Sequence, residues 1–325
     1  MGTAAQTIEF YLRDRAFTLR TLIVHNTVSG PRSDDIFAFQ RALLRPGDEV
    51  VMRATLPGDD VEELLGDARS FDAVVASGGD GTVASVAYAT RNTGVPVLVF
   101  PSGTANLLAN NIGNSADPPA LAQALRDGRY CDLDICEFEY RDAEGQTHRR
   151  GFLNMAGAGY DANIMQGSTG LKALFGPFSY YLAALGNLNP GTSRFRLRID
   201  GEEVESEGIC VLVANWATIN QTAEFIPGTS PVDGLLDVAI MSAKNSVELL
   251  PAVFSSVFAR GNESAFPNIS FRHGREVEVE CEPAFPMQYD GEVVENATTP
   301  FTARVIPKSF RVIVDPLSHL AGLEG

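Results

Sequence analysis

A buried strand followed at once by a glycine-rich turn and a helix is the feature that most limits how this chain can fold. The apolar run Phe71–Ser77 leads into Gly-Gly-Asp-Gly-Thr at positions 78–82, and a helical pattern follows. Glycines let backbone N–H groups approach an anion, and the start of a helix adds partial positive charge. The turn therefore predicts a phosphate-binding site. It has neither the Gly-Lys-Ser/Thr of a P-loop nor a dinucleotide Gly-x-Gly-x-x-Gly.

The acid inside this turn indicates the chemistry. A carboxylate beside bound phosphates is unfavourable unless it meets a metal ion or accepts a proton from an attacking hydroxyl, so Asp80 favours phosphoryl transfer over simple phosphate binding. The alternative is a tight turn in which Asp80 caps a helix.

A second strand, loop and helix follows the first. Val95–Phe100 is strand-like, and Pro-Ser-Gly-Thr-Ala-Asn at positions 101–106 leads into a helical run. Ser102, Thr104 and Asn106 offer hydroxyl and amide groups to a phosphate or to an incoming alcohol, although the hydroxyls can equally cap the helix. Two neighbouring loops of this kind can hold one triphosphate.

The order of predicted elements indicates two domains. In residues 1–129 strands alternate with helices, which predicts an α/β nucleotide-binding domain with a parallel sheet and ligand loops at the carboxyl ends of its strands. In residues 130–315 strand-like runs follow one another, which predicts a β-rich antiparallel sandwich as a second, substrate-binding domain. Residues 316–325 are expected to form a tail that packs back on the first domain, and the active site is expected in the cleft between the domains.

Charge and hydropathy limit the partners. The 325 residues carry a net charge of −16, which disfavours nucleic acid and anionic lipid alike. No uncharged apolar run approaches the roughly 18 residues that span a bilayer. We therefore expect a cytoplasmic protein without a transmembrane segment, which contacts the membrane only peripherally.

Together the two loops resemble the diacylglycerol kinase catalytic family, which includes bacterial lipid kinases, sphingosine kinases and ceramide kinases. The resemblance covers most of the chain, and its ordered set of motifs is more specific than Gly-Gly-Asp-Gly-Thr alone. Besides the two loops, the matching segments are residues 25–30 (HNTVSG), 154–159 (NMAGAG), 171–181 (LKALFGPFSYY), 231–237 (PVDGLLD) and 290–292 (DGE).

The resemblance implies ATP and Mg²⁺ as cofactors, with roles for matching positions. Glu292 stands where the family has its proposed proton acceptor, and the choice between Glu292 and Asp80 stays open. Asp233, with the main-chain carbonyls of Ser230 and Leu235, matches a magnesium site, which suits an ion that prefers oxygen ligands. The implied nucleotide contacts are Asn26, Ser29, Gly30, Thr55, Gly78, Gly79, Asp80, Gly81, Thr82, Val83, Ala84, Ser102, Gly103, Thr104 and Asn106.

The chain departs from the family pattern at two places. Relatives commonly have Asn-Pro in the first loop, where this chain has Asn26-Thr27. Many have an Asn-Glu pair after Gly-Gly-Asp-Gly-Thr, where this chain has Ala84 and Ser85. The core acids are kept, so the sequence is not interpreted as that of an inactive kinase.

The lipid tail requires an apolar pocket, and Leu171–Leu188 is the predicted wall, with Phe178 and Tyr181 as substrate contacts. The same segment fits an ordinary core helix. Val247–Phe258 is a candidate for lying at the membrane surface. Asp161 and Asn163 occupy the segment where sphingosine and ceramide kinases often have an Asp. Diacylglycerol, ceramide, a sphingoid base and a polyprenol all remain candidate substrates, and an edge strand in the second domain is compatible with a homodimer.

Two other functions are compatible with parts of the pattern. A kinase of the NAD-kinase type, with a soluble substrate, would also use residues 78–82, but that interpretation explains only the first half of the chain. A non-catalytic lipid-binding protein on the same scaffold is the other alternative. The three acids Asp80, Asp233 and Glu292 disfavour it, because lipid binding alone does not need them.

Overall fold

The chain contains an α/β unit and a β-sandwich. The computed structural model describes residues 18–30, 34–56, 58–104, 106–159, 191–219, 223–224, 226, 228–242, 268–316, 318 and 320. Within these residues the helices are α1 (Asp35–Leu43), α2 (Val61–Leu64), α3 (Asp80–Thr90), α4 (Leu107–Ile112) and α5 (Pro118–Asp127).

The strands of the first half are β1 (Arg20–Asn26), β2 (Glu49–Thr55), β3 (Ala73–Gly78), β4 (Val97–Pro101), β5 (Tyr130–Arg141), β6 (Thr147–Phe152) and β7 (Met155–Ala158). Those of the second half are β8 (Ser193–Ile199), β9 (Glu202–Gly208), β10 (Cys210–Ala214), β11 (Thr218–Ile219), β12 (Ala223–Glu224), β13 (Leu236–Met241), β14 (Ile269–Gly274), β15 (Glu276–Glu282), β16 (Pro286–Tyr289), β17 (Glu292–Thr298) and β18 (Phe301–Ile313).

The first four strands form a parallel sheet in the order β2-β1-β3-β4. Side chains alternate across β1, so Leu22 and Val24 pack on the side of α3 while Ile23 packs on the side of α1 and α5. Both faces of the sheet are thereby buried, as parallel sheets require. The carboxyl ends of β1, β3 and β4 lie at one edge, which brings their loops together.

The last strand joins the two halves of the chain. β18 pairs with β5 and β15 in antiparallel fashion, and near its end Val312 pairs with Val97 of β4 in parallel. Its register shifts between Ile306 and Phe310. Beyond it, Ser318 donates a hydrogen bond to the carbonyl of Ile112, and Leu320 is buried in the core around α3.

The second half is a sandwich of two antiparallel layers. One layer consists of β5, β6, β8, β9, β15 and much of β18, and the other has the order β14-β13-β10-β7-β16-β17. Phe138, Phe152, Phe195 and Val213 are among the buried side chains between the layers. The predicted combination of a parallel α/β unit and an antiparallel sandwich is confirmed.

Local details differ from the sequence prediction. The sequence pattern of residues 60–68 predicts one helix, but α2 ends at Leu64 and a short 3₁₀ turn, Ala68–Ser70, follows. The sequence pattern of residues 151–155 predicts one strand, but the chain leaves β6 after Phe152 and starts β7 at Met155. The division at residues 129 and 130 stays a prediction, since β18 pairs with β4 of the parallel sheet as well as with β5 and β15 of the sandwich.

Several predicted features lie outside the described residues. These are the predicted pocket wall at residues 171–188, the candidate membrane-surface segment 247–258 and the substrate contacts Asp161, Asn163, Phe178 and Tyr181. Among the residues that the structure describes, no helix is both long enough and apolar enough to cross a bilayer.

Candidate active site

Hydrogen bonds connect the three loops at the carboxyl edge of the parallel sheet. Asn26 Nδ2 donates to Thr82 Oγ1 at 3.0 Å, which joins the β1 loop to the start of α3. The hydroxyls of Ser29 and Ser102 are 2.9 Å apart, which joins the β1 loop to the β4 loop. The sequence-predicted residues of the first, third and fourth strands are thus brought together.

The first loop turns without the proline that relatives have. Asn26 Oδ1 accepts from the N–H of Val28 at 3.1 Å, and the Ser29 hydroxyl donates to the Asn26 carbonyl at 2.7 Å. Such side-chain bonds to nearby backbone close a turn by themselves. The loop around Thr27 is therefore held by the side chains of Asn26 and Ser29.

The loops after β1, β3 and β4 approach one another through their backbones. A Cβ on Gly103 would overlap the Cα of Gly79, and a Cβ on Gly30 would lie 2.8 Å from the carbonyl oxygen of Ser102. Gly30 has a φ of +123°, which further favours glycine. Residues with side chains at these positions would separate the loops.

The N-terminus of α3 is oriented toward this group of loops. Its N-cap residue is Gly79, which has no side chain to accept the first free N–H groups of the helix. An eleven-residue helix that begins without a side-chain cap offers N–H donors and the positive end of its dipole to an anion. The cradle suits phosphate groups.

Asp80 bridges two helices. Its Oδ1 accepts from the N–H of Leu108 at 3.3 Å, in the first turn of α4. Burial raises the pKa of Asp80, and backbone N–H groups at residues 106–108 oppose that rise. From its place in the glycine-rich turn, the Asp80 carboxylate therefore caps α4, and its role in phosphoryl transfer stays a prediction.

A turn of the second half of the chain places two further acids here. Asp290 accepts from the N–H groups of Leu153, Asn154 and Met155 at 2.8, 2.8 and 3.0 Å. Burial raises the pKa of Asp290 to about 6, and the nearby charge of Asp80 adds to the rise. Glu292, two residues on, has an exposed side chain whose Oε1 occupies the space that a Cβ on Gly81 would need.

The remaining predicted nucleotide contacts divide by exposure. Thr55 is buried at the end of β2, opposite Asn26, whereas Thr104 is exposed beside Gly103. The side chains of Val83 and Ala84 are buried in the core under α3, so only their backbone can reach a ligand. Asn106 is fixed by bonds with Gly103, in which Oδ1 accepts from the N–H at 2.9 Å and Nδ2 donates to the carbonyl at 2.8 Å.

The predicted magnesium ligands lie in the loop before β13. Asp233 Oδ1 accepts from the N–H of Leu235 at 3.0 Å, and Ser230 lies in the same loop. The described residues contain no group of three or more His, Cys, Asp or Glu that could hold a metal ion. A site of one carboxylate and two main-chain carbonyls would not be such a group, so this assignment stays a prediction.

Acids surround that loop. Asp134, fully buried on β5, accepts from the N–H groups of Gly234 and Lys308, each at 2.7 Å. Burial raises the pKa of Asp237 to about 6, and the charge of Asp233 raises it further. A cation near Asp233 would relieve this repulsion, so the local charge fits Mg²⁺.

Two acids of this region make contacts that the sequence interpretation did not predict. Asp290 belongs to the quoted Asp-Gly-Glu segment, but only Glu292 received a role. Asp134 lies in an alternating strand and carried no motif. The contacts of both acids are with backbone N–H groups far away in sequence, which local patterns do not reveal.

Family models and known proteins match this architecture. Residues 20–138 match the diacylglycerol kinase catalytic domain, and residues 154–314 match the YegS C-terminal NAD kinase beta sandwich-like domain. An uncharacterized protein from Synechocystis is 30% identical over 77% of this chain, and the chain spans 56% of its length. A diacylglycerol kinase from Mycobacterium tuberculosis is 26% identical, over 84% of this chain and 90% of that protein.

A probable YegS-like lipid kinase from Alcanivorax borkumensis is 28% identical, over 85% of this chain and 90% of that protein. Among solved structures, a putative diacylglycerol kinase from Bacillus anthracis superposes with a TM-score of 0.73 at 20% identity, covering 95% of this chain and 100% of that one. Yeast NADH kinase shares the fold more distantly, with a TM-score of 0.52, 13% identity and 92% and 84% coverage. The chain therefore belongs to the diacylglycerol kinase catalytic-domain family, whose members are kinases that transfer phosphate to an alcohol.

Proposed function

We propose that the protein is an ATP-dependent lipid kinase that transfers the γ-phosphate of ATP to the hydroxyl of a membrane lipid of the diacylglycerol or ceramide type. Relatives named as a diacylglycerol kinase and as lipid kinases align over most of both chains, which supports this substrate class. The enzyme would act in the cytoplasm and contact the membrane peripherally.

One observation carries the proposal. The Glu292 carboxylate lies against Gly81, in the first turn of an α3 helix whose N-terminus lacks a side-chain cap. A donor-rich phosphate cradle and a carboxylate that can accept a proton are thus adjacent. Phosphoryl transfer to an alcohol needs both.

The contacts of the three acids suggest different roles. The Asp290 carboxylate already accepts three backbone N–H bonds, and Asp80 is engaged at the start of α4, so both suit positioning and charge control. Glu292 has an exposed side chain and is the best candidate for the proton acceptor. In the step, the lipid oxygen bonds to the γ-phosphorus, the bond from that phosphorus to the β–γ bridging oxygen breaks, and the hydroxyl proton passes to Glu292.

Asp233 and the carbonyls of Ser230 and Leu235 are the proposed holders of Mg²⁺. A bound ion would offset negative charge in this acidic region. Phosphate positioning in this proposal depends on the residues of the loops: the N–H groups at the start of α3, the hydroxyls of Ser29 and Ser102, and Asn26.

The test is phosphorylation of a panel of acceptors. Purified protein, Mg²⁺ and γ-labelled ATP would be incubated with detergent-dispersed diacylglycerol, ceramide, sphingosine and polyprenol, and with NAD. Glu292→Gln is the informative variant, and Glu295→Gln, exposed on the same strand β17, is its matched control. We expect label in one lipid, loss of about a hundredfold in kcat with Glu292→Gln, and no change with Glu295→Gln.

Label in NAD alone would instead support a soluble-substrate kinase of the NAD-kinase type. No label in any acceptor, with ATP binding demonstrated, would favour the non-catalytic lipid-binding alternative. Wild-type turnover in Glu292→Gln would leave lipid phosphorylation intact but would exclude Glu292 as the proton acceptor and direct attention to Asp80. The homodimer suggested by the sequence is a separate proposal, which sedimentation of the purified protein would test.

A further inference from the structure

One row of residues crosses the outer face of the second sheet. Register places Gln288 of β16 beside Gly157 of β7, Gly157 beside Leu212 of β10, Leu212 beside Ala239 of β13, and Ala239 beside Phe271 of β14. We call these five residues the transverse row. Leu212, Ala239 and Phe271 belong to an apolar cluster on this face, distinct from the core between the sheets.

Gln288 is the polar end of the transverse row. Its chain neighbours Met287 and Tyr289 pack into the core between the sheets, so strand alternation directs the Gln288 side chain to the outer face. Gly157 adds no side chain at the next position, and a Cβ there would lie 2.8 Å from Leu212 Cδ2. The Gln288 amide is therefore adjacent to the apolar part of the row.

The amide of Gln288 is held at one end and free at the other. Its Oε1 accepts from the N–H of Gly291 at 3.0 Å, which sets which end carries the nitrogen. Gln288 is only 2% exposed, and its Nε2 has no hydrogen-bond partner among the residues that the structure describes. A buried donor without a partner is unfavourable and usually has an explanation in function.

The bond to Gly291 ties this amide to the reacting centre. Gly291 separates Asp290 from Glu292, and Glu292 lies against Gly81 of the phosphate turn. The free donor, Gln288 Nε2, is thus separated from the proposed proton acceptor Glu292 only by the tight turn between β16 and β17. It lies at the end of the transverse row. A ligand that reaches Glu292 with an alcohol and lies along the row with a hydrocarbon chain would place its polar linkage near Gln288.

We propose that Gln288 Nε2 donates a hydrogen bond to the acyl carbonyl oxygen of the lipid substrate, while the acyl chain lies along the transverse row. This inference rests on the proposed lipid kinase function and deepens it, because it makes an acyl carbonyl a requirement for efficient use. The carbonyl of an ester, as in diacylglycerol, and that of an amide, as in ceramide, share the required chemistry. Sphingosine and polyprenol lack it.

The test compares matched acceptors that differ only in the carbonyl. The kcat/KM of the full-length protein would be measured with a 1,2-diacylglycerol and with the 1,2-dialkylglycerol of equal chain length, in which ether links replace the esters. We expect the acceptor with a carbonyl to be preferred by roughly tenfold, mainly through KM, because the ether leaves the buried donor unpaired.

Gln288→Met is the informative variant, and Gln288→Asn is a second one that keeps an amide but withdraws it by one methylene. The ratio between the two acceptors is measured within each variant, so it does not depend on the fraction of active protein. We expect the ratio to approach one in both. Phe271→Ala is the control in the same row, and it should weaken use of both acceptors equally, leaving the ratio unchanged.

Equal use of ester and ether by the wild type would overturn the inference even if lipid phosphorylation is established. A wild-type preference that persists in Gln288→Met and Gln288→Asn would also overturn it. Failure of every lipid to accept phosphate would overturn the proposed function itself, and the inference with it, so the two failures are distinguishable.

Discussion

The carboxylate of Glu292 lies against the Cα of Gly81, so that an acid at the start of β17 meets the first turn of α3. This contact joins the sandwich to the phosphate turn. Glycine at position 81 is required by the neighbour and not by the backbone conformation, because the space that a Cβ would occupy is already taken by Glu292 Oε1.

Replacing Gly81 by alanine should therefore displace Glu292. The atom in the way is the end of a flexible side chain, so Gly81→Ala should fold with an unfolding temperature near that of the wild type. Removal of a positioned proton acceptor typically lowers turnover by about a hundredfold or more, so we expect a loss of that size in kcat. Lipid kinase assays and thermal unfolding would check both parts. Ser85→Ala, one turn later in α3, is the control, and wild-type kcat in Gly81→Ala would contradict the prediction.

Asn26→Ala should weaken ATP binding. The side chain holds its own loop through the N–H of Val28 and holds the start of α3 through Thr82 Oγ1. Loss of such bonds in a binding loop corresponds to about 1–1.5 kcal/mol, or roughly tenfold in affinity. We expect the KM for ATP to rise by that factor while the KM for lipid stays unchanged. Thr27→Ala, an exposed neighbour in the same loop, should leave both constants unchanged, and an equal effect of the two substitutions would refute a specific role for Asn26.

The acid pair Asp290 and Asp80 should make stability depend on pH in an uncommon direction. The pKa of Asp290 is raised to about 6 by burial and by the charge of Asp80, against the three N–H bonds that it accepts. Since this pKa lies above the ordinary 3.8, the stabilising contribution is present below about pH 4 and is lost as pH rises through 6. The stability of the wild type relative to that of Asp290→Asn should therefore be higher at low pH than at neutral pH.

Thermal unfolding of both proteins between about pH 3 and pH 7 would measure this difference. Asp48 provides a control of opposite sign. Its pKa is lowered, because hydrogen bonds from the Leu19 N–H and from Arg126 outweigh the opposing effect of burial. The advantage of the wild type over Asp48→Asn should therefore shrink as pH falls. If the stability advantage of the wild type over Asp290→Asn and that over Asp48→Asn changed in the same direction with pH, the causes assigned to the two pKa shifts would be contradicted.

Much of the α/β half could be predicted from sequence because its signals are local. The apolar runs before residues 78 and 101 and the glycines after them specify strand, turn and helix without distant partners. The break between β6 and β7 could not be predicted in this way. Residues 151–155 look like one strand, but the chain breaks at Leu153 and Asn154, where the carboxylate of Asp290 accepts the N–H groups of residues 153–155.

The candidate site shows the same division. Asn26, Ser102 and the glycines of both loops follow predicted strands, so their meeting follows from the parallel order of β1, β3 and β4. The position of Glu292 followed only from resemblance to a family, since Asp-Gly-Glu between two strands is an ordinary hairpin signal. Gln288 had no motif, and its free Nε2 is visible only after strand register and burial are known.

Among the acids discussed, Asp134 should be the one whose replacement lowers the free energy of unfolding most. It is fully buried, and its carboxylate accepts from Gly234 in the loop before β13 and from Lys308, which has a positive φ in the register shift of β18. Burial raises the pKa of Asp134, which means that the site disfavours the charged form. The neutral amide of asparagine should therefore be tolerated better than the cavity left by alanine. Asp134→Ala would leave two backbone donors without their acceptor, at about 1–3 kcal/mol each, so we expect a loss of about 3 kcal/mol and a smaller loss for Asp134→Asn.

Urea unfolding of the three proteins would measure these losses, with Asp132→Ala as the control on the same strand. Asp132 pairs with Arg311 in a partly exposed salt bridge at 2.8 Å, and such pairs contribute less than about 1 kcal/mol. Because Asp134 holds both the loop that carries Asp233 and the segment in which β18 passes toward the parallel sheet, its loss should also weaken Mg²⁺-dependent activity. Equal losses of stability for Asp132→Ala and Asp134→Ala would show that the buried carboxylate does not have this role.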